Sequence, residues 1–150
     1  MKNYLIIIAI SFGLANFTKA QNPRADKKEK IESLKVAFIT EKLDLSVEEA
    51  QKFWPVYNKY TAELEKSRKD FRGQMVDELK NIDQMSTAEA DKALRDMIEF
   101  RSKELDITKQ YTNEFKKVIS PQKVVKLFVA EQEFKKELLK MLRQKQQGKG

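Results

Sequence analysis

Turn-forming residues are almost missing from this chain, and their scarcity limits its fold more than any other feature. Between residue 20 and the last three positions the only glycine is Gly73, and the prolines are Pro23, Pro55 and Pro121. Strands and hairpins need turn chemistry at short intervals, and no stretch alternates apolar with polar residues. An all-α chain is therefore expected.

Three sites repeat one helix-start pattern. Leu45-Ser46-Val47-Glu48-Glu49, Met85-Ser86-Thr87-Ala88-Glu89 and Ile119-Ser120-Pro121-Gln122-Lys123 each place an apolar residue before a serine. The hydroxyl can accept from a first-turn backbone N–H that has no partner inside the helix. At the first two sites Glu49 and Glu89 complete a capping box. At the third, Pro121 takes the first helical position, where its missing N–H costs nothing. The preceding apolar residues can staple onto Ala50, Ala90 and Val124.

Four helices follow, from about Lys28 to Lys42, Ser46 to Lys80, Ser86 to Val118, and Ser120 onward. Their expected apolar stripes follow helical spacing. The first uses Ile31, Leu34, Phe38 and Ile39. The second uses Phe53, Tyr57, Tyr60, Leu64, Phe71 and Leu79. The third uses Leu94, Met97, Ile98, Leu105, Tyr111 and Phe115, and the fourth Val124, Leu127, Phe128, Phe134, Leu138 and Met141. The second and third approach a coiled-coil heptad that Ser67, Arg101 and Thr108 interrupt. A helix of about 33 residues extends about 50 Å. Two of them in one small domain predict an elongated antiparallel hairpin, whose single layer leaves an apolar face for a second copy or for other partners.

Residues 1–20 carry a secretory pattern: Lys2, an apolar run from Tyr4 to Leu14, and Thr18-Lys19-Ala20, with cleavage expected after Ala20. Eleven or so apolar residues are too few to cross roughly 30 Å of hydrocarbon. Residues 21–143 then form one helical domain, and 144–150 a disordered basic tail. Removing Lys2 and Lys19 takes the formal charge from +7 to +5. Lys140, Arg143, Lys145 and Lys149 meet no acidic residue. Export argues against nucleic acid as the partner of this basic end.

Catalytic equipment is sparse. The chain has no histidine and no cysteine, which removes the common triads, dyads and zinc sites. It has too few glycines for a phosphate loop. Glu48 and Glu49 suit a helix start, and Glu99, Glu104 and Asp106 sit among Arg101 and Lys103 as a solvated face. No enzymatic activity, cofactor, metal or small-molecule substrate is expected. Function then falls to surfaces. Phe53-Trp54-Pro55-Val56-Tyr57 is the densest aromatic run; its first use is core, with Trp54 at the core edge or on a partner. Pro55 should kink the second helix near Gln51. Arg68, Lys69, Arg72, Phe71 and Met75 around Gly73 form a second candidate partner surface, with a charged outer face beside a packed seam as its plainer reading. Gly73 itself suggests a flexible point or a close helix approach.

Leu45-Ser46-x-x-x-Ala50-Gln51 and Ile119-Ser120-Pro121-Gln122 resemble the paired Leu-Thr-x-x-Gln helix starts of the Spy/CpxP family of periplasmic proteins. Phe53-Trp54-Pro55-x-Tyr57-x-x-Tyr60 resembles a Bacteroidetes branch often labelled a sensor of an extracytoplasmic-function sigma factor. The first motif has one extra residue before its glutamine, and Gln122 comes one position early. The resemblance implies a hairpin of long helices that dimerises into a curved cradle. It also implies ATP-independent holding of unfolding protein clients in the periplasm, or damping of a membrane stress-signalling protein. The histidine-rich ligands of metal-sensing relatives have no counterpart here. The rival function is a signalling module that binds one dedicated partner in sigma-factor regulation.

Overall fold

A computed structural model describes residues 23–147. They form α1 (Pro23–Leu43), α2 (Val47–Glu78), a 3-10 segment (Leu79–Gln84), α3 (Thr87–Phe115) and α4 (Pro121–Gln147). No strand occurs among the described residues, so the all-α class holds. The targeting segment expected over residues 1–20 lies outside them, as do the last three positions of the tail. Where a disordered tail was expected from residue 144, α4 continues to Gln147. Glutamine, lysine and arginine are good helix formers, and nothing before Gly148 breaks the helix.

The serine caps form as their chemistry requires. Ser46 Oγ accepts from the Glu49 N–H at 3.2 Å, and Glu49 Oε2 accepts from the Ser46 N–H at 2.9 Å. Ser86 and Glu89 repeat the exchange at 3.4 and 2.8 Å. Ser120 Oγ accepts from the Lys123 N–H at 3.3 Å, with Pro121 as the first helical residue. The end of α1 is equally defined. Leu45 N–H donates to Thr40 O and Asp44 N–H to Glu41 O, while Asp44 adopts a left-handed φ of 48°. This is a Schellman motif with aspartate where glycine is usual. Leu45 thus closes α1 and opens α2, and it packs on the core.

α2 continues as helix through Pro55. Its far end tightens into the 3-10 segment, where Asn81 (φ −118°, ψ 36°) leaves helical geometry. Leu79, expected on the buried stripe, is therefore 37 % exposed.

Aromatic pairs set the helix pairing. Phe53 meets Phe115 at 5.6 Å, Tyr60 meets Tyr111 at 5.5 Å, and Phe71 meets Phe100 at 4.2 Å between ring centroids. Partners climb α2 as they descend α3, so these helices run antiparallel. α1 lies along α4 through Phe38–Phe134 (5.6 Å) and the Lys42–Glu133 ion pair (2.8 Å). All four helices share one core at one end: Ile39 and Leu43 of α1, Phe53 to Leu64 of α2, Ile107 to Phe115 of α3, and Val124 to Ala130 of α4. Each fully buried large side chain there contributes about 1.5–3 kcal/mol. Ser67 to Glu78 of α2 and Thr87 to Leu105 of α3 lie outside that cluster and form a two-helix arm.

Candidate functional site

The arm carries two different surfaces, and both arise from the register of α3. Counting back from buried Tyr111 in alternating steps of four and three gives Ile107, Glu104, Phe100, Met97 and Ala93, the seam that faces α2. Leu94, Ile98, Arg101 and Leu105 lie one position further round. Leu94, Ile98 and Leu105, expected to be buried, are 57, 69 and 53 % exposed. The sequence offered two adjacent stripes; Ala93 and Phe100 occupy the packed one, although the bulkier aliphatics lie in the other. Thr108 and Thr112 continue the outer stripe toward the four-helix end, half-buried, with hydroxyls donating to Glu104 O and Thr108 O. The apolar stripe is thus confined to the arm. Leu94 and Ile98 stand one turn apart and Leu105 two turns on, with Arg101 between, so exposed aliphatic groups gather on one face of the helix, and such grouping marks candidate interaction surface.

Two arginines accompany the stripe, Arg101 within it and Arg68 across Glu104 from it. Arg68 Nε donates to Glu104 Oε1 at 2.6 Å and Arg101 Nη1 to Glu104 Oε2 at 3.0 Å. Glu104, expected on a solvated face, is instead 13 % exposed and clasped by both arginines.

The second surface is a cleft of about 690 Å³ between the same two helices. The stacked rings of Phe71 and Phe100, only 7° from parallel, lie in it. Asp70, Glu78, Asp96 and Glu99 face Lys92 and Lys103 there, an acidic balance. Lys92 Nζ donates to Asp96 at 2.7 Å and Glu78 at 2.8 Å. Those bonds, Asp96's first, hold its ammonium well above the usual lysine range. Ser67 also lines the cleft; it is 4 % exposed and its Oγ has no hydrogen-bond partner.

The sequence-derived partner residues divide between these places. Phe71 stacks on Phe100, Arg68 is ion-paired, and Arg72 is exposed. Met75 does not offer surface: it is 3 % exposed, because four residues on from Phe71 it falls on the seam toward α3. Trp54 is half-buried at the four-helix end, edge-on to Phe53 (5.1 Å) and Tyr57 (5.4 Å). Gly73 makes no close approach, since a Cβ built there meets nothing within 4 Å. The helix-start residues act in the fold. Ile119 is buried, Met85 half-buried, and Gln51, Pro121 and Gln122 exposed. Asp70 and Phe100 escaped the sequence reading, and Ser67 entered it only as an interruption of the seam. Counting back from Tyr111 by four, three and four reaches Phe100, but only the pairing with α2 shows that this stripe is the packed one.

Where the helix pairs meet, Tyr57 OH donates to Glu131 Oε1 at 2.9 Å. Burial pushes both groups up, the phenol far above its ordinary range and the Glu131 carboxyl above that of a free carboxylate. The hydrogen bond from Tyr57 and the charges of Lys35 and Arg68 partly offset the rise at Glu131.

Among the described residues no group of three or more potential metal-ligating side chains is close enough to hold a metal, and no helix is long and apolar enough to cross a membrane. No family model matches the chain, and no curated protein or solved structure matches it either.

Proposed function

We propose that this chain is an exported periplasmic holding protein, akin to the Spy/CpxP proteins it resembles, which binds unfolding polypeptides without ATP and without chemistry of its own. The observation that carries this reading is the exposed Leu94–Ile98–Leu105 stripe on an arm that α1 and α4 leave uncovered. Arg101 within it and Arg68 beside it favour segments that mix apolar with acidic residues. In this reading two copies of the elongated hairpin assemble into a cradle that presents both stripes.

Magnitudes fit holding better than permanent complex formation. Covering three half-exposed aliphatic side chains contributes on the order of 3 kcal/mol. A contact of that size is weak and reversible, which suits a protein that must release its client. The test is light scattering from a chemically reduced, aggregation-prone protein. Equimolar wild type should suppress it, and Leu94→Ser/Ile98→Ser/Leu105→Ser should not while keeping its helix content. No suppression by wild type, or equal suppression by the triple variant, overturns the reading.

A further inference from the structure

The acidic cleft plays no part in holding a client on the opposite stripe, yet it has the marks of a docking surface. Four carboxylates outnumber two ammonium groups in it, and Lys92 already serves Glu78 and Asp96. Asp70 and Glu99 have no ion-pair partner among the described residues. The Phe71 and Phe100 rings are half-buried, so an incoming group can reach them. Ser67 adds a separate sign of a ligand: its hydroxyl is buried against the cleft with nothing to bond.

The complementary surface lies on the same chain. At the far end of α4, Lys136, Lys140 and Arg143 surround Leu139, which is 47 % exposed, and no acidic residue lines this shallow depression. Helical spacing places Lys136, Leu139, Lys140 and Arg143 on one face. An aliphatic side chain ringed by cations fits two aromatic rings ringed by carboxylates.

We propose that the cleft receives the α4 end of a second copy of this chain. Leu139 packs on the Phe71–Phe100 pair, and Lys136, Lys140 and Arg143 meet Asp70 and Glu99. Reciprocal exchange makes the contact twice and closes the assembly as a two-fold dimer. The inference rests on the dimer in the proposed function and specifies its contact.

Charge swapping tests it. Variant one, Lys136→Glu/Lys140→Glu/Arg143→Glu, makes both surfaces acidic; variant two, Asp70→Lys/Glu99→Lys, makes both basic. Sedimentation of the purified wild type should show a dimer that weakens as NaCl rises from about 50 to about 500 mM. Each variant alone, with unchanged helix content by circular dichroism, should dimerise at least about tenfold more weakly. Mixing the two variants one to one should restore a dimer, because each acidic surface then faces a basic one. A dimer indifferent to salt and to both reversals overturns this contact and leaves dimerisation standing. A wild type that stays monomeric overturns both. If that monomer binds a lysine-rich peptide through Asp70 and Glu99, the cleft belongs to a basic client segment. Client holding is read separately by light scattering, so its failure is distinguishable from this one.

Discussion

Lys123 Nζ lies 2.6 Å from Glu49 Oε2 and 2.6 Å from the Asp44 carbonyl oxygen, tying the start of α4 to the turn between α1 and α2. One lysine thereby links three helix termini. At the third helix start it stands where the other two carry the capping-box glutamate, so the exception in that pattern has its own structural use. The bond from Lys123, followed by that from the Ser46 N–H, holds the Glu49 carboxyl below the usual glutamate range. A depressed carboxylate contributes stability that is present above its unfolded value and is lost as pH falls through the folded one. Lys123→Met should lower Tm at neutral pH and move the Glu49 titration, followed by carbon NMR, to higher pH. The difference in Tm should shrink in acid. An unchanged Glu49 titration would show that this contact is not formed.

Core position separates two phenylalanines of similar contact type. Phe115 has no exposed surface and its ring meets Phe53, Tyr57, Tyr60 and Tyr111. Phe115→Ala should cost about 3–5 kcal/mol in denaturant unfolding. Phe71 is half-buried on the arm, so Phe71→Ala should cost clearly less while keeping the four-helix end folded. Equal losses would contradict the division into core and arm.

Two backbone positions can be improved. Gly73 sits within α2 with open space where a Cβ would stand, so Gly73→Ala should stabilise by about 0.5–1 kcal/mol. Asp44 holds a left-handed φ that glycine adopts freely, and Asp44→Gly should add about 1 kcal/mol while leaving the Lys123 bond to its carbonyl in place. Thermal melts of the two single variants and the pair measure this directly. A fall in Tm at Gly73→Ala would mean that the arm needs its flexibility to remain folded.

Glu131 makes the opposite pH prediction from Glu49. Burial raises its carboxyl pKa, so the folded chain holds the proton more tightly than the unfolded one. Its contribution to stability is then present below the ordinary carboxylate range and lost as pH rises through the folded value. Glu131→Gln removes the charge and keeps an acceptor for Tyr57 OH. Tm should rise at about pH 7 and match wild type near about pH 4. A lower Tm at neutral pH would show that Lys35 and Arg68 stabilise the carboxylate more than burial penalises it.

Much of the fold was legible because helix starts are local chemistry. Ser46, Ser86 and Ser120 each meet their partner within three residues, so no tertiary knowledge was needed. The register of α3 was not legible, because it is decided by α2. Leu94 and Ile98 are more apolar than Ala93, and only the aromatic partners on α2 select the seam through Phe100 and Tyr111. Met75 was misplaced for the same reason: its chemistry suits a surface, but its spacing from Phe71 puts it inside. The cleft was hidden because Ser67, Asp70, Glu99 and Phe100 are polar or isolated in sequence and become neighbours only once α2 and α3 pair.

In the proposed function, unfolding polypeptide settles on the outer stripe of α3. The chain has no cysteine, so Ile98→Cys and Asn113→Cys each create a single labelling site for an environment-sensitive dye. Both positions are exposed, one on the stripe and one on the same helix near the four-helix end. On adding a chemically unfolded client, the emission at position 98 should shift to the blue and brighten, and that at position 113 should stay as it was. No response at position 98, or an equal response at both, would show that client does not settle on the stripe.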